Sequence, residues 1–509
     1  MRKALLVLSV CLPFSFLSAQ EPVDALKFSW YVPGGSARTQ AVGGAMGSLG
    51  GDITALFMNP AGLAFYRTGD VVLSPSFLFG NSQGRYLGEQ VKDNYNRFTW
   101  GTTGIVSGLG SSSPKKNSAL ALAINKTADF NSGFTYFGQN YQSSYSQKFL
   151  EEIGGIKDGN FVAEGFPYGT SLAFNTYWVD TVGGGSQGNF QFQSRSLPLL
   201  SQGLLQRNSV RSRGGITEIA LGGAGQLGEK FMFGGTFSLP VVFYERDVSF
   251  REEDPTADPT NKFNFANVEE NLVTRGYGFN LKLGMIYKPQ EFWRLGLAFH
   301  TPTYYRLTDK YTVTVETDTE QYQGYTTIST QDVTGAEPEF KYSYWNPYRV
   351  IGSISYVIRE IEDVTKQRGF LTADVEYVNH KASSFTTAEG SSASDEQYFK
   401  SLNQAINNAY KGAFNFRLGG ELKFTTIMVR AGAAFYGNPY KDIDGEYGQK
   451  FNLSGGLGYR NKGFFIDLTY VHSMMQDVNF AYRLASAENH IARIRSTQGN
   501  VYATVGFKF

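Results

Sequence analysis

The stretch "FLTADVEYVNH", Phe370–His380, decides the fold. In an extended chain successive side chains point to opposite faces. Leu371, Ala373, Val375 and Tyr377 therefore share one side, and Thr372, Asp374, Glu376 and Val378 the other. One face is apolar; the other is mostly polar and carries two carboxylates. The period recurs. In "FFIDLTYVHS" (464–473), Phe464, Ile466, Leu468 and Tyr470 oppose Phe465, Asp467, Thr469 and Val471. In "FRLGGELKF" (416–424), Leu418, Gly420, Leu422 and Phe424 oppose Arg417, Gly419, Glu421 and Lys423. About fourteen such segments run from near Asp70 to near Asn500, an even number of the kind bacterial barrels use.

Charged side chains on a strand face need water. In a soluble sandwich that face is the outside; in an outer-membrane barrel it lines the lumen, and the apolar face meets lipid. Connection lengths separate these cases. Short turns are read at "SSSPKK" (111–116), "LGEK" (227–230), "KPQE" (288–291) and "RNKG" (460–463), with "REIEDVTKQR" (359–368) somewhat longer. Long connections are read at about 129–213, 250–273, 305–341, 382–412 and 476–499. Tight turns at one end and long loops at the other are the layout of an all-β transmembrane outer-membrane barrel, with turns periplasmic and loops extracellular. The last segment, "VYATVGFKF", ends on Phe509, a terminal aromatic of the kind the barrel assembly machinery reads.

The chain begins with Arg2 and Lys3, the apolar run Ala4–Leu17 and "SAQ", which predicts a signal peptide over residues 1–19, cut after Ala19. The single cysteine, Cys11, falls inside it, so no disulfide framework is expected. Residues 20–69 precede the first strand, and 70–509 form the barrel. After Leu17 no apolar run approaches the roughly 18 residues of a spanning helix, so any membrane crossing must use strands. The 46 basic and 45 acidic residues become 44 and 45 once Arg2 and Lys3 leave with the leader, a net charge of −1 that gives no reason to expect nucleic acid.

No catalytic constellation stands out, and no enzyme activity, metal or cofactor is expected. His300, His380, His472 and His490 lie on different segments without metal-ligand spacing. "GAGQLG" (223–228) matches a phosphate-binding pattern but leads into a tight turn and another strand, where a helix is required. Two loop segments have helical periodicity: Tyr145, Phe149 and Ile153 in one, and Phe399, Leu402 and Ile406 in the other. Both are expected to pack on the barrel rim.

Ahead of the first strand, Gly34–Ala64 reads "GGSARTQAVGGAMGSLGGDITALFMNPAGLA". By itself "NPAG" is a surface turn, since Asn-Pro starts turns and Gly62 tolerates positive φ. Its order, "AVGGAMGSLGGD", then "NPAGLA", then a first strand, resembles the N-terminal region of the FadL/TodX family, outer-membrane transporters of long-chain fatty acids and aromatic hydrocarbons. The likeness continues in "RLGLAFHTPTYYRL" (294–307), in "NFRLGGELKF" with "MVRAGAAFYGNP", and in "LSGGLGYR" with "FFIDLTYVH". The chain departs from the family in the length of the 129–213 connection.

The resemblance implies a monomeric fourteen-strand barrel in the outer membrane of a Gram-negative bacterium, plugged by a hatch made of 20–69. It implies passive uptake of a hydrophobic small molecule, foremost a long-chain fatty acid or else an aromatic hydrocarbon. Asn59, Pro60, Ala61 and Gly62 are then the fixed hatch elements, Asp52 bonds them to the wall, and Gly43 and Gly44 supply hinges. Two other roles fit such a barrel: docking within a protein-secretion system, and haem uptake.

Overall fold

A computed structural model describes residues 22–110, 117–182, 190–256, 258–359, 367–388, 392–441 and 448–509. The expected leader (1–19) and the turns at 111–116 and 360–366 lie outside the described residues.

Fourteen antiparallel strands form the wall. The first seven are β1 (Asp70–Leu73, resuming as Pro75–Tyr86), β2 (Glu89–Trp100, then Thr103–Leu109), β3 (Ser118–Asp129, then Ser132–Asn140), β4 (Leu204–Leu227), β5 (Phe231–Glu253), β6 (Phe265–Tyr287) and β7 (Trp293–His300, then Thr303–Asp318). The others are β8 (Glu339–Asn346, then Arg349–Arg359), β9 (Gln367–Asn379, then Ser384–Thr387), β10 (Gly412–Phe424), β11 (Ile427–Tyr436), β12 (Gln449–Asn461), β13 (Phe464–Asn479) and β14 (Ala492–Lys508). Each pairs with its neighbours in sequence. β14 returns to β1, with Asp70 opposite Lys508 and Ser76 opposite Tyr502, and the sheet closes.

The wall is inside-out relative to a soluble protein. On β9, Leu371 is 58% exposed and Asp374 1%; on β10, Leu418 is 61% exposed and Arg417 2%. Apolar side chains cover the outside, and the inward charges pair with one another. Arg417 and Arg349 flank Glu376 at 3.1 and 3.5 Å, and Arg430 lies 2.6 Å from Glu421 and 2.5 Å from Asp467. On β5 the outward apolar run goes from Phe231 to Phe243, after which Glu245, Asp247 and Arg251 take over. At roughly 3.4 Å per residue and a tilt of about 40°, that run spans about 30 Å of height, the thickness of a bilayer's hydrocarbon core. Aromatic pairs mark its lower border, Phe231–Tyr287 at 4.7 Å and Trp293–Tyr356 at 5.0 Å between centroids.

Two expectations are corrected. The connections read as long loops at 250–273, 305–341 and 476–499 are half strand or more, since β5 runs to Glu253, β6 begins at Phe265, β7 runs to Asp318 with a further strand at Tyr325–Ser329, β13 reaches Asn479 and β14 starts at Ala492. Beyond the lipid both strand faces become polar, so the alternation fades while the pairing continues. The 129–213 connection begins as the second half of β3 and then folds into helices Ser146–Ile153, Gly159–Gly165 and Thr170–Asn175 and a hairpin, Val179–Val182 with Gln191–Ser194. This cap closes on an aromatic cluster in which the Tyr145 ring lies 4.7 Å from Phe250, 5.4 Å from Phe149 and 5.3 Å from Tyr482. Beneath it the buried Glu252 carboxylate accepts hydrogen bonds from Ser144 Oγ (2.5 Å), Gln206 Nε2 (2.7 Å) and the Tyr145 N–H (3.2 Å). Burial pushes its pKa above the usual carboxylate value.

Candidate functional site

A lumen of fourteen strands stays open unless it is filled. Residues 22–69 fill it with α1 (Pro22–Ser29), α2 (Ala37–Ala41) and two 3-10 turns, Ile53–Leu56 and Pro60–Phe65. Small residues let this segment approach the wall, and the wall answers with glycine. A Cβ on Gly234 would run into the Pro60 carbonyl carbon, and one on Gly284 into Asn59 Oδ1.

The residues singled out in the sequence meet in this contact. Asn59 is 1% exposed. Its Oδ1 accepts the Ala61 N–H (3.2 Å), while its Nδ2 donates to Gly47 O (2.6 Å) in the hatch and to Met285 O (3.2 Å) on β6. Pro60 occupies the first helical position, where its missing N–H costs nothing. Ala61 is fully buried among Ala64, Met232 and Ile286. "NPAG" is thus a buried 3-10 turn, where the motif alone suggested a surface one. Gly62 does not take positive φ; it is small because Gly50 Cα would lie 3.0 Å from its Cβ. Gly43 and Gly44 do adopt left-handed backbone, at φ 67° and 78°.

Asp52 differs from expectation. It caps the Ile53–Leu56 turn, accepting from Thr54 N–H (2.9 Å) and Ser36 Oγ (2.7 Å), so its bonds stay inside the hatch. A carboxylate at a helix start is held by the nearest free N–H groups, which here are its own. Other residues make the wall contacts. Gly47 N–H donates to Asp374 Oδ2 (3.0 Å) on β9, Ser48 Oγ lies 2.8 and 2.9 Å from the Ser353 and Ser355 hydroxyls on β8, and Arg38 lies 3.6 Å from Glu421 on β10.

Within the hatch, α1 leans on helix Ala393–Ala409, whose Phe399, Leu402 and Ile406 point inward as their spacing implied. On the opposite side of α1 lies a cavity of about 270 Å³. Its apolar lining includes Leu26, Trp30, Tyr31, Phe130, Met474 and Tyr502. Two ammonium groups, Lys27 and Lys450, and two carboxylates, Asp129 and Asp477, also reach it. Lys27 pairs with Asp24 at 3.1 Å. Lys450 sits 3.8 Å from the Trp30 ring centroid and donates to the Trp30 carbonyl (3.0 Å), and the Asp477 carboxylate faces it from the same lining.

The cavity abuts an irregular piece of wall. β3 bulges between Lys126 and Ala128, breaks after Asp129, and resumes at Ser132. Its lower half pairs with β2, from Thr103 opposite Ile124 to Leu109 opposite Ser118. Among the described residues the upper half of β2, Glu89–Trp100, is paired with β1 alone. There β3 passes inside the β1–β2 hairpin, with Ser82 Oγ donating to the Gly133 carbonyl and the Tyr86 and Tyr136 rings 5.1 Å apart. Phe130 and Asn131, from the break itself, line the cavity. The hatch reaches the same place, for Gly34 N–H donates to Lys126 O (3.2 Å) and Asn125 Nδ2 donates to Gly34 O (3.2 Å).

Sequence reasoning missed Lys450, the break in β3 and the glycine seats. Signals for the last two were present. "EQVKDNYNR" (89–97) has no apolar face, and Gly234 and Gly284 occupy inward positions in otherwise regular strands. Of the histidines, His300 on β7 bonds the hatch at Met58 O at 2.8 Å and His380 bonds Ser29 at 2.9 Å.

No protein-family model and no curated sequence matches the chain. Solved structures do. A FadL homologue from Pseudomonas aeruginosa is 12% identical with a TM-score of 0.57, covering 94% of this chain and 100% of its own. The toluene transporter TodX of P. putida is 12% identical with a TM-score of 0.51, over 94% and 99%. At such identity the agreement concerns backbone course over nearly the whole of both chains, and on it this protein has the outer-membrane fold of the FadL and TodX channels.

Proposed function

We propose that the protein carries long-chain fatty acids, or closely similar amphipathic carboxylates, passively inward across the outer membrane. The observation that carries this reading is the cavity beside the β3 break. An apolar, aromatic wall suits an alkyl chain, and the Lys450 ammonium, held at the cavity by the Trp30 ring and carbonyl, suits the acid head; a charge-assisted bond of that kind contributes roughly 1.5–3 kcal/mol. Movement of Gly34 releases the bulge of β3, and the edge of β2 that β3 leaves open next to it offers a sideways exit. For a greasy solute that route avoids the polar lumen below. That FadL and TodX channels share the fold supports a hydrophobic cargo.

The test is uptake of labelled oleate by cells lacking their own transporter. Wild type is expected to restore uptake, and Lys450→Met to weaken oleate binding about tenfold while leaving toluene binding unchanged. Equal loss for both ligands places the head elsewhere; uptake no better than vector with a folded barrel rejects the fatty-acid cargo.

A further inference from the structure

Outside the lumen, one patch of the wall concentrates positive charge. The outward side chains of β1 rise as Phe77, Phe79, Asn81, Gln83 and Arg85, and across the closing seam Val501 pairs with Phe77, Arg495 with Gln83 and Arg493 with Arg85. On the other side of β1, Lys92 of β2 pairs with Gln83. Gln83 lies four residues above Phe79, about 10 Å along the membrane normal for a tilted strand. The cluster therefore begins at headgroup height above the lipid-facing aromatics Phe79 and Tyr470, whose rings stack at 6.2 Å.

Packing alone does not account for it. Arg85 and Arg493 are directly opposed, so their Cβ atoms stand about 5 Å apart, an arrangement that is destabilising between like charges. Arg495 is about 7 Å further along the same face. All three are exposed, and among the described residues none of them, nor Lys92, has an ion-pair partner. They line a groove of about 350 Å³ together with Gln83, Gln90 and Ile491, with no acidic residue in its lining. A bound anion removes the repulsion, and guanidinium groups in this density suit a phosphate, whose oxygens accept paired N–H donors.

We propose that this groove holds the phosphate of a phosphorylated glycolipid in the outer leaflet. Continuity with the lipid-facing band favours a lipid over a soluble anion, because Phe79, Met474 and Phe451 lie exposed just below to take its acyl chains. The inference rests on the outer-membrane placement above but not on the cargo, and it is read without transport.

The test titrates purified, folded barrel in detergent with bisphosphorylated lipid A, with its dephosphorylated form, and with inorganic phosphate, using native mass spectrometry. Wild type is expected to bind the bisphosphorylated lipid at least about tenfold more tightly than R85Q/R493Q/R495Q, and the dephosphorylated lipid no better than that variant does. Folding is checked by the shift in gel mobility on heating; if the triple variant fails it, R493Q alone is expected to lose about threefold. Equal binding of both lipids, or no loss in the variants, overturns the proposal. Inorganic phosphate binding as tightly as the lipid overturns the lipid assignment.

Discussion

Asn59 shows how one side chain ties the hatch to the wall. It caps its own turn, ties the hatch to itself through Gly47 and ties the hatch to β6 through Met285. Asn59→Ala removes these bonds and leaves buried carbonyls unsatisfied, at a cost of about 1–3 kcal/mol. The expected result is a looser hatch, read as a several-fold rise in single-channel conductance in planar bilayers; conductance equal to wild type rejects Asn59 as the anchor. The position was legible because Asn-Pro followed by Ala-Gly has few other uses ahead of a strand. Lys450 was not, since "GQKFNL" reads as an ordinary strand start and only the folded barrel brings it to Trp30. Asp52 was assigned to the wall for want of a way to see that its nearest donors lay two residues away.

Between elements, the hatch meets β8 through hydroxyls close enough to be replaced by a covalent link. In Ser48→Cys/Ser353→Cys the two sulfurs replace oxygens 2.8 Å apart. Oxidation is expected to pin the hatch and bring oleate uptake to background, and reductant to restore it. Uptake indifferent to oxidation, with the bond shown to have formed, shows that cargo passes a stationary hatch. Strands were legible wherever lipid enforced alternation, as on β9, β10 and β13. They were missed where it did not: the upper parts of β5, β6 and β14 stand in water, and neither face there needs to be apolar. The inward turn of β3 is tertiary, set by packing Tyr136 against Tyr86 and by the hatch at Gly34, and local spacing carries no mark of it beyond the missing apolar face of β2.

For the whole molecule, the placement of short and long connections fixes which end faces out. A protease site inserted in the 254–264 connection is expected to be cut in intact cells, whereas one in the Arg460–Gly463 turn is cut only after the outer membrane is permeabilised. The opposite pattern inverts the barrel. Strand number was readable from the count of alternating segments, and closure from the cost of an unpaired edge in lipid, an edge that among the described residues is left along the upper half of β2.

That closure sets an order of events during biogenesis. On its seam side Asp70 pairs with Lys508, so the seam waits for the last strand of the barrel. The glycine seats at Gly234 and Gly284 do not face a common interior until then. The hatch is therefore made first and seated last. A segment that must wait through the synthesis of more than four hundred residues is best kept without stable structure of its own, and one so rich in Gly and Ala has little reason to fold before its socket exists.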